Sequence, residues 1–532
     1  MPFELDNFRD GQTQAPEADY LEYLLDRQED DSRHYRRLWD YFRNPLRPAT
    51  GAAAGAANSA SRPYVEAQEA GLPARITGVR RVGSADDAVD LRRKEVVIEN
   101  DIAWRIQTMI DFLFPRCPTF RSLAADEQLA ATIEQTMAAL LEANGGVRLL
   151  QEMALYGAVY GFVDVALRTP ADAAGHAPAA AIPADSPSRS SASAATAHRP
   201  GTPTDRSRLR AVSAAATLRL EPIEAPRVIP LLAEDDYSRL RLWVQKFDKY
   251  PPRLDRSHRR RLPLPWRGGK TASPAAVEVV EILSPTWWQR YEDRRLVAEG
   301  PNPLGRIPVA HVQNLSLPGG YAGLGDVEPL VPLQDELNTR LSDRAHRVTY
   351  QSFKMYLGKG IDDFLERPVG PGQMWATENP AASIEEFGSD ADAPGETAHI
   401  EQVREAMDKV SGVTPLAAGL IRGNIGHLTS ATALRVVLSG LLSRTARKRL
   451  TYGAGLAQLA ELVLAWLDRR GVLHTRPEDR RVEIHWPSPL PTDEAEQLRN
   501  AEIKARLGVP RERILTELGY EDHTDSTDRT NA

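Results

Sequence analysis

Between Ser430 and Gly471 the chain runs without a proline, and Leu434, Leu438, Leu441, Leu450, Leu456, Leu459, Val463 and Trp466 keep helical spacing. At 1.5 Å per residue, some 40 residues make a helix on the order of 60 Å. An isolated globular core rarely needs such a length, so this helix calls for a large structure or for neighbouring copies. Ser430 suits the N-cap. In front of it lies GVTPLAAGLIRGNIGHLTS (412–430), with glycines at 412, 419, 423 and 426.

The totals bound the class. A chain of 532 residues with 42% hydrophobic and 26% charged residues reads as a soluble globular protein. Its length suggests about three or four folded units. Cys117 is the single cysteine, which leaves no internal disulfide framework and fits a reducing compartment. No uninterrupted apolar run reaches about 18 residues, so no membrane span is expected. MPFELDNFRD lacks the basic and apolar regions of a signal peptide, which points to synthesis and use in cytosol. The net charge of −7 gives no sign of the basic stripe that grips duplex nucleic acid.

Along the chain, 17–43 reads as a helix stopped before Pro45, and Val96–Phe114 and Ala125–Asn144 also read helical. Residues 150–167 pass from a helical period into a β-rich run at Phe162–Leu167. The stretch 169–214 is largely Ala, Ser, Pro and Thr, which predicts an exposed, flexible insertion. Strand signals follow in RVIPLL, LRLWVQKF, AVEVVEIL and WWQRYED, giving a β-containing part over roughly 215–315. After PGGYAGLGD (318–326), Leu333, Leu337, Leu341, Ala345 and Val348 form one apolar stripe. The other side carries Asp335, Asn338, Arg340, Ser342, Asp343 and His346, expected to face water. Residues 350–397 show little periodicity, and a short helix is expected over 398–411. The tail holds a strand, VEIHW, and two helices.

Chemistry is sparse. Gly268-Gly-Lys-Thr271 is the one phosphate-loop lookalike, but Leu264 stands where the motif needs glycine, and the strand–loop–helix setting is absent. A plain turn is the simpler reading. Arg256, Arg259, Arg260 and Arg261 beside it read as a solvated hairpin tip. The eleven histidines form no metal-ligand set, and there is no nucleophile elbow. Glu385-Glu386 read as surface charge. No catalytic constellation, cofactor or metal is expected. The 412–430 stretch also fails as a nucleotide cradle, because no lysine follows its glycines and no strand leads into it; on local grounds it is either a mobile functional loop or a plain connection.

Several segments, taken in order, resemble the portal proteins of tailed bacteriophages, in particular those of phages with long, non-contractile tails. HYRRLWDYFRNP (34–45) is similar to the N-terminal tyrosine-rich motif, where the family usually has a glycine near Asn44. LYGAVYGFVDV (155–165), LGRIPVAHVQN (304–314) and GLGDVEPLVPLQDELNTRLSD (323–343) follow. SATALRVVLSGL (430–441) resembles the start of the family's long helix, with Ala431 in place of a glycine. LPTDEAEQLRNAEIKARLGVPRERILTELGYED resembles its C-terminal segment.

The resemblance implies an α+β, mainly helical portal fold with wing, stem, clip and crown regions and one very long helix. It places an N-terminal wing region with a β-rich part at 1–325, the first stem helix at 326–350 and the clip at 351–397. The second stem helix falls at 398–411, a tunnel loop at 412–428, the long wing helix at 429–475, and a strand with crown-like helices at 476–532. It implies no enzyme, but a dodecameric ring at the unique capsid vertex of the virion, made in the host bacterial cytoplasm. Double-stranded DNA would pass through that ring non-specifically in packaging and ejection. Large terminase, a head-tail connector or adaptor and the major capsid protein would be its partners, with no membrane. Arg422, Asn424 and His427 would face the DNA from the tunnel loop. Two other readings stay open: a different ring-forming head or adaptor component of a virion, and a nucleotide hydrolase using Gly268–Thr271.

Overall fold

The computed structural model describes residues 3–8, 18–49, 63–77, 94–169, 205–234, 236, 239–250, 276–352, 355–359, 380–387, 394–419, 431–490, 494–511 and 514–515. The fold is α+β and mainly helical. It begins with α1 (Ala18–Arg43), which ends where the apolar spacing and Pro45 require. Asn44 closes it at φ +44, donating its backbone N–H to Asp40 O at 2.7 Å. Asparagine is among the few side chains that tolerate this left-handed position, so it fills a place that suits glycine. Short strands β1 (Leu46–Pro48) and β2 (Tyr64–Glu66) then pair antiparallel.

The helix read from Val96 starts only at Asp101, as α2 (Asp101–Leu113), because Asn100 caps it by accepting from the Ala103 N–H. After β3 (Thr119–Ser122) come α3 (Glu127–Ala143) and α4 (Val147–Tyr160). Gly161 at φ +96 turns the chain directly into β4 (Phe162–Arg168).

The flexible insertion expected over 169–214 does not extend to its C-terminal end. Residues 205–216 form α5 (Asp205–Ala216), and Ala211 and Ala215 are fully buried against α3. Alanines at i and i+4 bury little area, but they let two helices approach closely, which composition alone does not show. Residues 170–203 lie outside the described residues.

Strands β5 (Arg219–Ile223), β6 (Val228–Leu232), β7 (Leu240–Lys249), β8 (Val277–Leu283), β9 (Trp287–Glu292), β10 (Arg295–Pro301) and β11 (Val309–Gln313) build two antiparallel sheets, ordered β10-β9-β8-β7-β6 and β11-β4-β5. The larger sheet covers a small core in which Phe3, Leu5, Leu21 and Leu25 meet Ile229, Val244, Ile282 and Tyr291. The main core joins α2, α3, α4 and the smaller sheet.

Helix α6 (Val331–Ser352) follows, then the antiparallel pair β12 (Met355–Lys359) and β13 (Ser383–Phe387), and α7 (Pro394–Ser411), which starts four residues before the expected 398. The long helix is interrupted. A first piece, α8 (Ala431–Val437), ends at Leu438, whose φ −89 and ψ 3 leave the helical region, and α9 (Ser439–Arg469) continues. Its 31 residues span about 46 Å, short of the expected 60 Å. The break at Leu438 is followed directly by Ser439-Gly440, the kind of pair near which helices bend. By length and composition α9 would suit a bilayer, but it packs on β11, β14 (Val482–His485) and α2, burying Tyr452, Leu456, Leu459 and Val463. β14 pairs with β3 across some 360 residues of chain, and α10 (Glu494–Arg506) follows.

Candidate functional site

The candidate loop is framed by α6, α7 and the α8–α9 helix. Its proposed contact residues Arg422, Asn424 and His427, and Ser430, lie outside the described residues, as do Gly268–Thr271 and the arginines at 256–261. What the structure describes is how both ends of the loop are held.

At the N-terminal end, Arg105 on α2 is 1% exposed and donates from Nη1 to the Asp408 carboxylate on α7 and, at 2.8 Å, to Val413 O. Val413 packs with Met109 and Leu441, so α2, the end of α7 and the start of α9 share one apolar contact. Gly412 sits at φ +71 with its α-carbon against Gly440; a Cβ there would lie 3.3 Å from the Gly440 carbonyl carbon. Glycine suits this position because the left-handed dihedral strains any side chain and the approach to Gly440 leaves a Cβ little room. Pro415–Ala418 then forms one 3₁₀ turn, ended by Gly419 in the left-handed region.

At the other end, Asp326 anchors α9. It is fully buried and accepts from Lys448 Nζ, from Arg444 Nε at 2.8 Å and Nη2 at 2.6 Å, and from Asn314 Nδ2 at 2.9 Å. Burial pushes its carboxyl upward, but Lys448 and Arg444 outweigh burial and hold it below the usual aspartate range. Burial outweighs pairing at Lys448, which is lowered, since one carboxylate faces it and Arg444 opposes it.

Of the polar side of α6 expected to face water, Asp335, Arg340, Asp343 and His346 are partly exposed, but Asn338 and Ser342 are not. Gln334, Asn338 and Ser342, at i, i+4 and i+8, are fully buried. They act as a ladder for 97–102, the extended segment ahead of α2 and the first two residues of α2. Gln334 Oε1 accepts from the Asp101 and Ile102 N–H groups; Asn338 Oδ1 accepts from the Glu99 N–H at 3.1 Å and its Nδ2 donates to Gln68 at 2.9 Å; Ser342 Oγ accepts from the Val97 N–H at 3.0 Å. The N–H groups of Val97, Glu99, Asp101 and Ile102 are thus partnered by one face of α6. On the apolar stripe, Leu337 is fully buried, Leu333 and Leu341 are half-buried, and Val348 is 52% exposed. Helices α6 and α7 are tied by Arg347–Glu396 and by His399 to Glu336 at 3.0 Å.

A second buried carboxylate, Asp164, fixes the turn ahead of α6. It accepts from Trp243 Nε1 at 2.6 Å and the Tyr321 hydroxyl at 2.6 Å, and pairs with His311 Nδ1 at 2.7 Å. Burial first, then the Asp164 carboxylate, push the Tyr321 phenol well above its ordinary value, so it remains a donor. His311 Nε2 lies 2.9 Å from Tyr321 O. Both ring nitrogens are therefore used internally, and this His–Asp pair offers no free nitrogen to a substrate. Among the described residues no group of three or more His, Cys, Asp or Glu could hold a metal.

These elements define a scaffold of interlocked helices and sheets in which both flanks of the glycine-rich segment are anchored. Residues 278–526 match the family model described as phage portal protein, SPP1 Gp6-like, and the portal resemblance met in the sequence is borne out over this C-terminal region. No curated protein matches the chain. Among solved structures, a chain from the neck of an empty gene transfer agent particle is similar at 12% identity and TM-score 0.42, covering 78% of this chain and 89% of that one. A chain from the virion of a native gene transfer agent particle is similar at 12% identity and TM-score 0.37, covering 78% of this chain and 93% of that one.

Proposed function

We propose that this chain is the subunit of a portal ring at the unique vertex of a phage-like capsid, held within the shell of major capsid protein. Double-stranded DNA passes through the ring in packaging and ejection, and large terminase and a head-tail connector dock on it. The observation that carries this reading is the order of elements inside the family-matched residues: α6, the β12–β13 pair, α7, the glycine-rich segment and the α8–α9 helix. In this reading α6 and α7 are the stem helices, β12–β13 belongs to the clip, and 412–428 is the tunnel loop. The rest of 1–325 together with the long helix forms the wing, and the segment after 476 is crown-like. The subunit is made in the host bacterial cytoplasm and ends in the virion.

Both ends of the loop are tied to α2, by Arg105 at Val413 and by the packing of Leu441. The residues between can therefore change without loosening the fold. Arg422 and His427 are the loop's basic side chains and Asn424 its amide, suited to weak, sequence-independent phosphate contacts. Replacing Arg422 and His427 by alanine, or shortening 422–427, is expected to leave assembled rings and unchanged melting while heads fill partly or not at all. Electron microscopy of the heads and sizing of the packaged DNA read the outcome. Normal packaging of full-length DNA by these variants would contradict the role given to the loop.

A further inference from the structure

Residues 431–450 carry Arg435, Arg444, Arg447, Lys448 and Arg449 and no Asp or Glu. Three of these cations are engaged within the subunit: Lys448 and Arg444 on Asp326, and Arg449 over the Trp486 ring with a donor bond to Pro487 O. Arg435 and Arg447 are exposed and have no partner among the described residues. Helical periodicity places Ser439, Ser443, Arg447 and Leu450 on the side of α9 opposite Leu441, Thr445 and Lys448, which are buried. Leu450 is 75% exposed, and Val436, on α8 just ahead, is 68% exposed. This is an amphipathic helix face with small, apolar and cationic side chains and no cover from the described residues.

The opposite charge lies elsewhere on the same chain. Between α2 and α7 a cleft of about 240 Å³ is lined by Glu99, Asp101, Glu401, Glu405 and Asp408, five carboxylates against Arg105 and Arg404, of which Arg404 pairs with Glu99 and Glu401. Glu405 is exposed and has no side-chain partner among the described residues. Arg105 is buried and is engaged by Asp408 and Val413 O.

We propose that the outward face of α8–α9, with Arg447, docks into the Glu405 cleft of a second copy of this chain. The contact is head to tail. A cationic face cannot meet its own copy across a two-fold axis without repulsion, and an acidic cleft cannot either, so the pairing is heterologous and closes as a ring. The proposal rests on the portal-ring reading and adds which two surfaces join neighbours and with what sign of charge.

The test is a charge swap in the full chain. Arg447→Glu and Glu405→Arg, each alone, are expected to raise the concentration needed for assembly about tenfold or more, the scale for opposed charges at an interface. The combined variant is expected to assemble as the unaltered protein does. Both side chains are exposed, so far-UV circular dichroism and melting of the dissociated subunits should be unchanged, which separates lost docking from lost folding. Single variants that assemble normally, or a combined variant as defective as the two singles together, would overturn the docking while leaving the ring intact. Unaltered protein that stays monomeric would instead remove the ring reading itself.

Discussion

Asp326→Ala is expected to lower the unfolding free energy by about 3–5 kcal/mol, the scale for removing one partner of a buried ion pair. The cause is what remains. Lys448 is 3% exposed and Arg444 14%, so neither cation can reach water without disturbing α9, and Asn314 loses an acceptor. Removing all three charges, by Asp326→Asn with Lys448→Met and Arg444→Met, should cost much less, because no unpaired charge is then buried. Denaturant unfolding of the three proteins measures this coupling. A loss below about 1 kcal/mol for Asp326→Ala would show that the cluster is solvated. The sign with pH follows from the depressed carboxyl. Its stabilisation is present above the unfolded aspartate value of about 4 and is lost as pH falls through the lower folded value. The protein should therefore melt earlier in acid, and Asp326→Asn should lose that part of the acid dependence.

Gly161→Ala is expected to destabilise by about 2–5 kcal/mol, adding left-handed strain to overpacking. Gly161 holds φ +96, and a Cβ there would stand 2.4 Å from Gly323 O, a backbone atom that cannot rotate away. Its own carbonyl accepts from the Asn314 N–H at 2.8 Å. The α4–β4 corner, the end of β11 and the turn leading to α6 are thus pressed together at one point. By contrast, Gly319→Ala meets nothing within 4 Å and bears only the strain of φ +81. Thermal melts of the two variants should differ by several degrees. Equal melts would show that the corner yields.

The helices legible in the sequence are those whose boundaries are local. Helix α1 begins within a residue of the expected 17 because apolar spacing and Pro45 define it, and the α4–β4 corner was visible in LYGAVYGFVDV because Gly161 separates the two periods. What was missed depends on partners distant in sequence. Gln334, Asn338 and Ser342 have the i, i+4, i+8 spacing of one face, and that signal was available; only the segment 97–102, more than two hundred residues earlier, shows that the face is buried. Asp164 and Asp326 look like any surface acid until Trp243, Tyr321, Arg444 and Lys448 are brought to them. The pairing of Phe120 with Ile484 has no local cue. For the candidate site, the glycines of 412–430 were legible only as a mobile connection; that Gly412 and Gly419 take left-handed backbone, and that Arg105 holds Val413, were not.

The central claim is that this chain works as a ring with a channel, and the most direct measurement is the mass of the purified protein by multi-angle light scattering at micromolar concentration. Twelve copies of 58.8 kDa predict a particle of roughly 700 kDa, which negative-stain images should show as a ring with a central opening. A single species near 58.8 kDa, unchanged as concentration rises, would contradict the account.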